Sequence, residues 1–401
     1  QCRDVNAAVI DSLSVTNCAF EGGDFGVCWR GGFDQATVAF NRFEGQARMG
    51  VMLGDNTADQ KTRKAAKVLY NRFKDIIGTS ATENEIHAAL VYAYDVLVQG
   101  NSVDTVYDIH SNTHDSEAIY LKAVFWRVLD NFVRNGGRGE GFIAVKGQVS
   151  TADPEGLSAG TAYSLYGLAE GNVLYASPAF VASYGKHNGI LTADGSRNLV
   201  RGNVLWGDYE RAVTVNAGSV EGNLIYGDST YGIRADADAD TNELSRITGN
   251  KLKGSFTSAA IEARNGQAAA MAWAGVQIND NVVECPATTP AAVSIRADRV
   301  ASGNNSIELV QVSGLTVVGH AGLAAVRFAM ASGTGNNGKV SSALVSDLSI
   351  DTAASAIRVD GSENDVASLT LGPLETIDIS DEVVGLANIT TPRKVVYETI
   401  T

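Results

Sequence analysis

The chain has 401 residues, is 45% hydrophobic and carries a formal net charge of −14. That is ample apolar material for a core, and too acidic a balance for general binding to nucleic acid or an anionic membrane. Only 19% of residues are charged, which excludes a disordered polyelectrolyte, and no run of about 18 apolar residues marks a membrane span.

No signal-peptide pattern opens the chain. Gln1-Cys2-Arg3-Asp4-Val5 already reads as strand, so the sequence is expected to begin inside a longer protein or after processing. The four cysteines, Cys2, Cys18, Cys28 and Cys285, show no C-x-x-C spacing and no neighbouring histidine cluster, which argues against zinc. Cys2–Cys18 and Cys18–Cys28 bridges stay open as alternatives to free buried thiols.

Two short elements then alternate along the chain. One is a small residue followed by apolar–x–apolar, as in Gly26-Val27-Cys28-Trp29, Gly50-Val51-Met52-Leu53 and Ala89-Leu90-Val91-Tyr92. Two apolar–x–apolar–Lys copies follow, Ile119-Tyr120-Leu121-Lys122 and Ile143-Ala144-Val145-Lys146. The series continues from Gly189-Ile190-Leu191-Thr192 to Ala356-Ile357-Arg358-Val359. The other is a short apolar strand closing on Asn: Asn41, Asn71, Asn101 and Asn131 at one constant interval, then Asn172, Asn203, Asn223 and Asn250 after Gly, with Asn281 and Asn304 continuing the series.

Period-two strands, three per repeat, with an Asn at a recurrent turn, predict an all-β chain folded as a right-handed parallel β-helix of about twelve coils. A single coil cannot bury its apolar residues, so stacked coils share one core. Asn tolerates left-handed backbone at the turn, and its amide can bond to the Asn of the next coil. Insertions at 55–66, 74–88, 104–116, 148–161 and 176–188 cluster in the first half, where they would build a binding wall. The one helix-period stretch, 61–68, reads as a loop excursion. Residues 1–345 are assigned to the β-helix. The weaker pattern of 346–401 is assigned to terminal coils or a C-terminal cap over the open sheet end.

If the two Lys copies lie on neighbouring coils, Lys122 and Lys146 sit side by side on an outer face. The same alternation turns Arg30, Tyr120, Arg234, Asp236, Glu262, Arg264, Arg296, Arg327, Arg358 and Asp360 outward. The result is a net basic strip on an acidic chain, suited to an extended uronic-acid polysaccharide. The competing reading is a ladder of solvated ion pairs, such as Asp236–Arg264 and Glu262–Arg296. Upstream of Lys122 lie Asp104, Asp108, His110, Asn112, His114, Asp115 and Glu117. Proton abstraction beside a carboxylate needs a tuned base and a cation to neutralise the developing enolate. A lysine beside another cation has a lowered pKa, which suits the base, and acids such as Asp115 and Glu117 could hold Ca²⁺ as the neutralising charge. Strict alternation from Ile119, however, turns Glu117 inward.

These residues resemble the pectin-lyase-like β-helix superfamily. Within it, Asp115-x-Glu117-x-Ile119-x-x-Lys122 resembles the Glu-x-Glu-x-Ile-x-x-Lys segment of polysaccharide lyase family 6, the alginate lyases and chondroitinase B. The resemblance implies Ca²⁺ ligands at Asp115 and Glu117 and a Brønsted base at Lys122. The first acid here is Asp, and Lys146 stands where that family carries arginine. Bacteriophage tailspikes offer a second resemblance, and imply a trimer and hydrolysis by a carboxylate pair drawn from Asp108, Asp115, Glu117 and Glu140.

The sequence is therefore expected to encode an extracellular enzyme, secreted or on a virion, monomeric or homotrimeric. It would cleave an anionic polysaccharide by β-elimination without nucleic-acid binding or membrane insertion. Lys122, Lys146, Tyr120, Glu140 and His110 are the candidate catalytic residues. Arg30, Arg234, Asp236, Glu262, Arg264 and Arg296 are the candidate substrate contacts. The alternatives are a virion-borne glycoside hydrolase and a non-catalytic glycan-binding β-helix.

Overall fold

A computed structural model describes residues 9–54, 63–79, 85–109, 116–137, 140–149, 162–193, 195–237, 243–267, 270–286, 288–300, 303–320, 322–329, 338–360, 366–371, 374–384 and 389–392. The chain divides into two compact units, Gln1–Asp208 and Tyr209–Thr401. Each is a right-handed parallel β-helix built from three ladders of strands.

In the first unit one ladder stacks Val9–Thr16, Gly32–Ala39 and Arg63–Leu69, then the C-terminal halves of His87–Gln99 and Ile119–Leu129. The second stacks Ala19–Glu21, Arg42–Glu44, Arg72–Gly78, Ser102–Asp108, Phe132–Gly136 and Val173–Ala176. The third stacks Phe25–Trp29, Met49–Leu53, the N-terminal halves of His87–Gln99 and Ile119–Leu129, Ile143–Lys146 and Ile190–Thr192. Every pairing in these ladders is parallel. Of the stretch 61–68, the described part, 63–68, forms no loop excursion: Arg63–Leu69 is a strand in register with Gly32–Ala39. The described helix is Pro178–Tyr184, capped by Ser177, whose hydroxyl accepts the Phe180 N–H.

Between the first two ladders the asparagines form a buried stack, at 30-residue spacing from Asn41 to Asn131 and at 41 and 31 residues thereafter. Asn41 donates its backbone N–H and its amide to Asn71 Oδ1 at 2.9 and 3.0 Å. The same pair of bonds links Asn71 to Asn101, Asn101 to Asn131, Asn131 to Asn172 and Asn172 to Asn203. The left-handed backbone falls on the residue before each Asn: Phe40 (φ 58°), Tyr70 (φ 53°) and Asp130 (φ 54°), with glycine at 100, 171 and 202. Asn is thus needed for its amide rather than its backbone freedom, and the Gly-Asn spelling of later coils reflects a glycine at the left-handed position.

Inside the first unit Phe20, Phe43 and Phe73 stack at 4.9 Å between successive centroids. This explains the small residue opening the first repeated element. A Cβ on Gly50 would lie 2.5 Å from the Phe73 ring and 2.8 Å from the Ala88 carbonyl oxygen. Gly50→Ala is expected to cost about 1–3 kcal/mol through overpacking, read as a lower urea midpoint with an unchanged m-value.

In the second unit the asparagine stack runs Asn223, Asn250, Asn281 and stops. The next two coils place buried Leu315 and Leu348 at that position: Thr316 N–H bonds to Asn281 O and Ser349 N–H to Leu315 O, as Val282 N–H does to Asn250 O. Asn304 is not a member of the stack; it sits in a two-residue strand antiparallel to Arg299–Val300. Past residue 345 the coils continue, with Val366–Leu371, Leu374–Val384 and Ile389–Pro392 adding parallel strands. Cys18, Cys28 and Cys285 are free thiols, so the Cys18–Cys28 bridge is absent; Cys2 lies outside the described residues. Burial pushes the Cys285 thiol up to about 11.

Candidate functional site

The third ladder of the first unit sets the site. Ile119 pairs with Ile143 and Leu121 with Val145 in the core, and the same register places Lys122 opposite Lys146. Tyr92 of the preceding coil pairs with Lys122. One residue beyond the Trp29–Leu53 pair, Arg30 continues the row, beside the glycine at 54. The Lys122 ammonium lies 5.4 Å from the Tyr92 ring centroid and 5.8 Å from that of Tyr120, within cation–π range of both faces. Lys146 forms an ion pair with Glu140.

The outward row beside the lysines is not open surface. Cys28, Met52, Leu90, Tyr120 and Ala144 are all buried and form an apolar cluster with Met49 and Tyr92. Tyr120, expected as an exposed catalytic side chain, is therefore a wall: it is 3% exposed and stacks on His87 at 5.3 Å. The outer face carries a second apolar layer, which strand alternation alone cannot reveal.

Below this wall lies a pair that the sequence reading missed. His87 and Glu117 are both fully buried, with Glu117 Oε2 3.2 Å from His87 Nδ1. The Glu117 backbone N–H also points at Nδ1, at 3.3 Å. One ring nitrogen cannot both accept that N–H and donate to a carboxylate, so the pair has two alternative proton arrangements. Glu117 Oε1 accepts the Glu140 N–H at 2.9 Å. The buried pair thereby ties down the segment whose side chain holds Lys146.

Calcium ligation by Glu117 does not fit this arrangement. One oxygen is taken by a backbone N–H and the other faces an imidazole, whereas Ca²⁺ requires six to eight oxygen donors. Among the described residues no group of three His, Cys, Asp or Glu is placed to hold a metal. Asp115 and His110 lie outside the described residues, as do Asn112 and His114. Asp108 is fully buried in its strand, opposite the glycine at 78.

In the second unit the basic strip is neutralised by its own acids. Arg234 binds Asp236 at 2.8 Å and lies 3.5 Å from Glu262. Arg264 and Arg296 share Asp298, and Arg327 and Arg358 share Asp360. The expected Asp236–Arg264 and Glu262–Arg296 pairs are thus replaced by others. Asp298 was missed because it lies one residue past its strand, Ala291–Ala297. Arg234 and Glu262, expected as open sugar contacts, are buried at 8% and 3% exposure.

Burial pushes the Glu262 carboxyl above its ordinary range, more than Arg234, Arg296 and Arg264 pull it down. A carboxyl raised in the folded state binds its proton more readily folded than unfolded. Its relative contribution is therefore greatest at low pH and declines as pH rises through the raised value. The stability of the wild type relative to Glu262→Gln should fall across that window and then level off, measured by urea unfolding at a series of pH values.

Three ladders of parallel coils closed by an asparagine stack define the class, a right-handed parallel β-helix protein. No family model and no curated protein matches the chain. It is similar to the A-module of the Azotobacter vinelandii mannuronan C-5 epimerase, at TM-score 0.40 and 9% identity over 84% of this chain and 93% of that one. It is also similar to the hexasaccharide-bound tailspike protein of E. coli bacteriophage HK620, at TM-score 0.40 and 13% identity over 96% of this chain and 72% of that one. Likenesses at this level carry no argument about activity, which must rest on the side chains.

Proposed function

We propose that the chain acts on an anionic polysaccharide, cleaving a uronic-acid polymer by β-elimination. The observation that carries this reading is the register of Lys122 against Lys146 on neighbouring coils, edged by aromatic rings. Neutral Lys122 removes the proton α to the uronate carboxylate. Lys146, held by Glu140, neutralises the charge that builds on that carboxylate; the enolate then collapses to the double bond, and the glycosidic oxygen departs, taking its proton from the Lys122 ammonium or from water. Arg30, farther along the row, is placed to meet a second carboxylate of the polymer. Such a substrate belongs outside the cell, so the chain would be secreted or carried on a virion, as a monomer or homotrimer.

Incubation with polyuronates tests the reaction class. Elimination yields an unsaturated product that absorbs in the ultraviolet, hydrolysis yields reducing ends without that absorbance, and a binding module yields neither. Because the base must be unprotonated while Lys146 stays cationic, the elimination rate should rise with pH through neutrality and decline only where Lys146 loses its charge. A rate that falls with pH through neutrality would overturn the lysine base.

A further inference from the structure

On the face adjoining the lysine row, the first unit holds a cavity of about 440 Å³, within the roughly 300–1,000 Å³ range of small-ligand sites. The same two strands that carry Tyr92 and Lys122 build it three residues further on. Phe125 pairs in register with Asp95, and Asp95 with Ala65, whose neighbour Lys64 reaches the rim. Phe125 and Tyr166 lie almost parallel, at 11° and 6.2 Å between centroids, and Tyr94 stands edge-on to Phe125 at 75° and 5.2 Å. The stacked pair thus supplies an apolar floor and the third ring a wall, with Asp95 and Arg127 among the lining groups.

Tyr166 is held there at a cost. It is half exposed and has a left-handed backbone, φ 51°, which a non-glycine residue adopts against its own sterics. Arg197 lies 5.3 Å over its ring and hydrogen-bonds to its hydroxyl. The next residue, Gly167, lies against the Trp126 ring with no room for a Cβ. The exposed ring is thus held in place by Arg197, by Phe125 and by the close approach of Gly167 to Trp126.

We propose that this cavity is a saccharide subsite, distinct from the lysine row, which seats a pyranose of the polymer chain. The apolar C–H face of the sugar packs against the Phe125–Tyr166 pair and Tyr94, ring hydroxyls donate to Asp95, and Arg127 meets a hydroxyl or an acidic substituent, while Lys64 is held by Asp34 at 2.8 Å. A nucleobase would also stack on such a floor, but a net charge of −14 repels a polyphosphate backbone. The subsite deepens the polysaccharide reading and rests on it for the choice of polymer.

The test is calorimetric titration of the full chain carrying Lys122→Ala, so that the probe stays intact, with a mannuronate hexamer and with maltohexaose. Tyr166→Asn keeps a residue that tolerates left-handed backbone and removes the ring; Phe125→Ala removes the floor. Each is expected to weaken hexamer binding at least 10-fold while the thermal midpoint of Tyr166→Asn stays near that of its parent. If Phe125→Ala fails to fold, Tyr166→Asn alone decides. Unchanged affinity in the folded variants, or no binding of either probe, overturns the subsite. Binding of maltohexaose alone, lost in Tyr166→Asn, sustains the subsite and overturns the uronate reading instead.

Discussion

Replacing Lys122 with alanine is expected to lower the rate of unsaturated-product formation by about 10²–10⁴, the usual contribution of a positioned general base, with little loss of stability. The side chain is half-buried at the edge of the apolar cluster rather than inside it, so truncation removes the amine without opening the core. Lys146→Ala should also slow the reaction. It would do so by removing charge stabilisation, and would leave Glu140 without this cation. Glu140→Gln separates the two effects: the Glu140 backbone N–H still bonds to Glu117, while the ion pair is lost. A pH profile shifted in Glu140→Gln and flat in Lys122→Ala would tie the titrating group to Lys122. Full activity in Lys122→Ala, measured by ultraviolet absorbance of the product, would remove that residue as the base.

The largest stability effect is expected within the asparagine stack. Asn101 Oδ1 accepts both the backbone N–H and the amide of Asn71, and its own amide donates to Val68 O at 2.8 Å and Asn131 Oδ1 at 3.0 Å. Asn101→Ala strands the Asn71 N–H and the Val68 carbonyl where water cannot reach. At about 1–3 kcal/mol per stranded group, the loss should be roughly 2–6 kcal/mol, read from urea unfolding. Because neighbours share these bonds, Asn101→Ala combined with Asn131→Ala should cost less than the two single losses added together. An Asn101→Ala midpoint close to that of the wild type would mean that the stack contributes little and that the coils are held by apolar packing alone.

Much of the architecture was legible because a parallel β-helix writes its geometry into a fixed interval. Residues one coil apart stack, so the spacing of Asn41, Asn71, Asn101 and Asn131 announced a ladder. The shared apolar frame of Ile119 and Ile143 likewise put Lys122 beside Lys146. His87 and Glu117 obey the same 30-residue interval, so their pairing was there to be read. It was overlooked because neither residue belongs to a repeated motif. The helix at Pro178–Tyr184 also had its signal, a Ser-Pro at the capping positions, lost within a stretch read as an insertion.

Other features had no signal in spacing. Alternation distinguishes the two faces of a strand, but it cannot say whether the outer face is wet. Tyr120 therefore passed for a catalytic side chain although a second apolar layer covers it. Nor can it choose among several acids within reach of one guanidinium. Asp298, just past the end of a strand, captured both Arg264 and Arg296, and a strip expected to attract an anionic polymer neutralised itself.

The one-dimensional pattern determined the coil, its turns and the stacking of the two lysines, because period-two apolar burial and a constant repeat length leave a single register that keeps every core residue dry. Only the folded arrangement decided which outward positions are buried, which acid holds which arginine, and that Tyr94, Phe125 and Tyr166 converge on one cavity. Those outcomes depend on side-chain reach and desolvation between segments of different length, for which the sequence carries no periodic record.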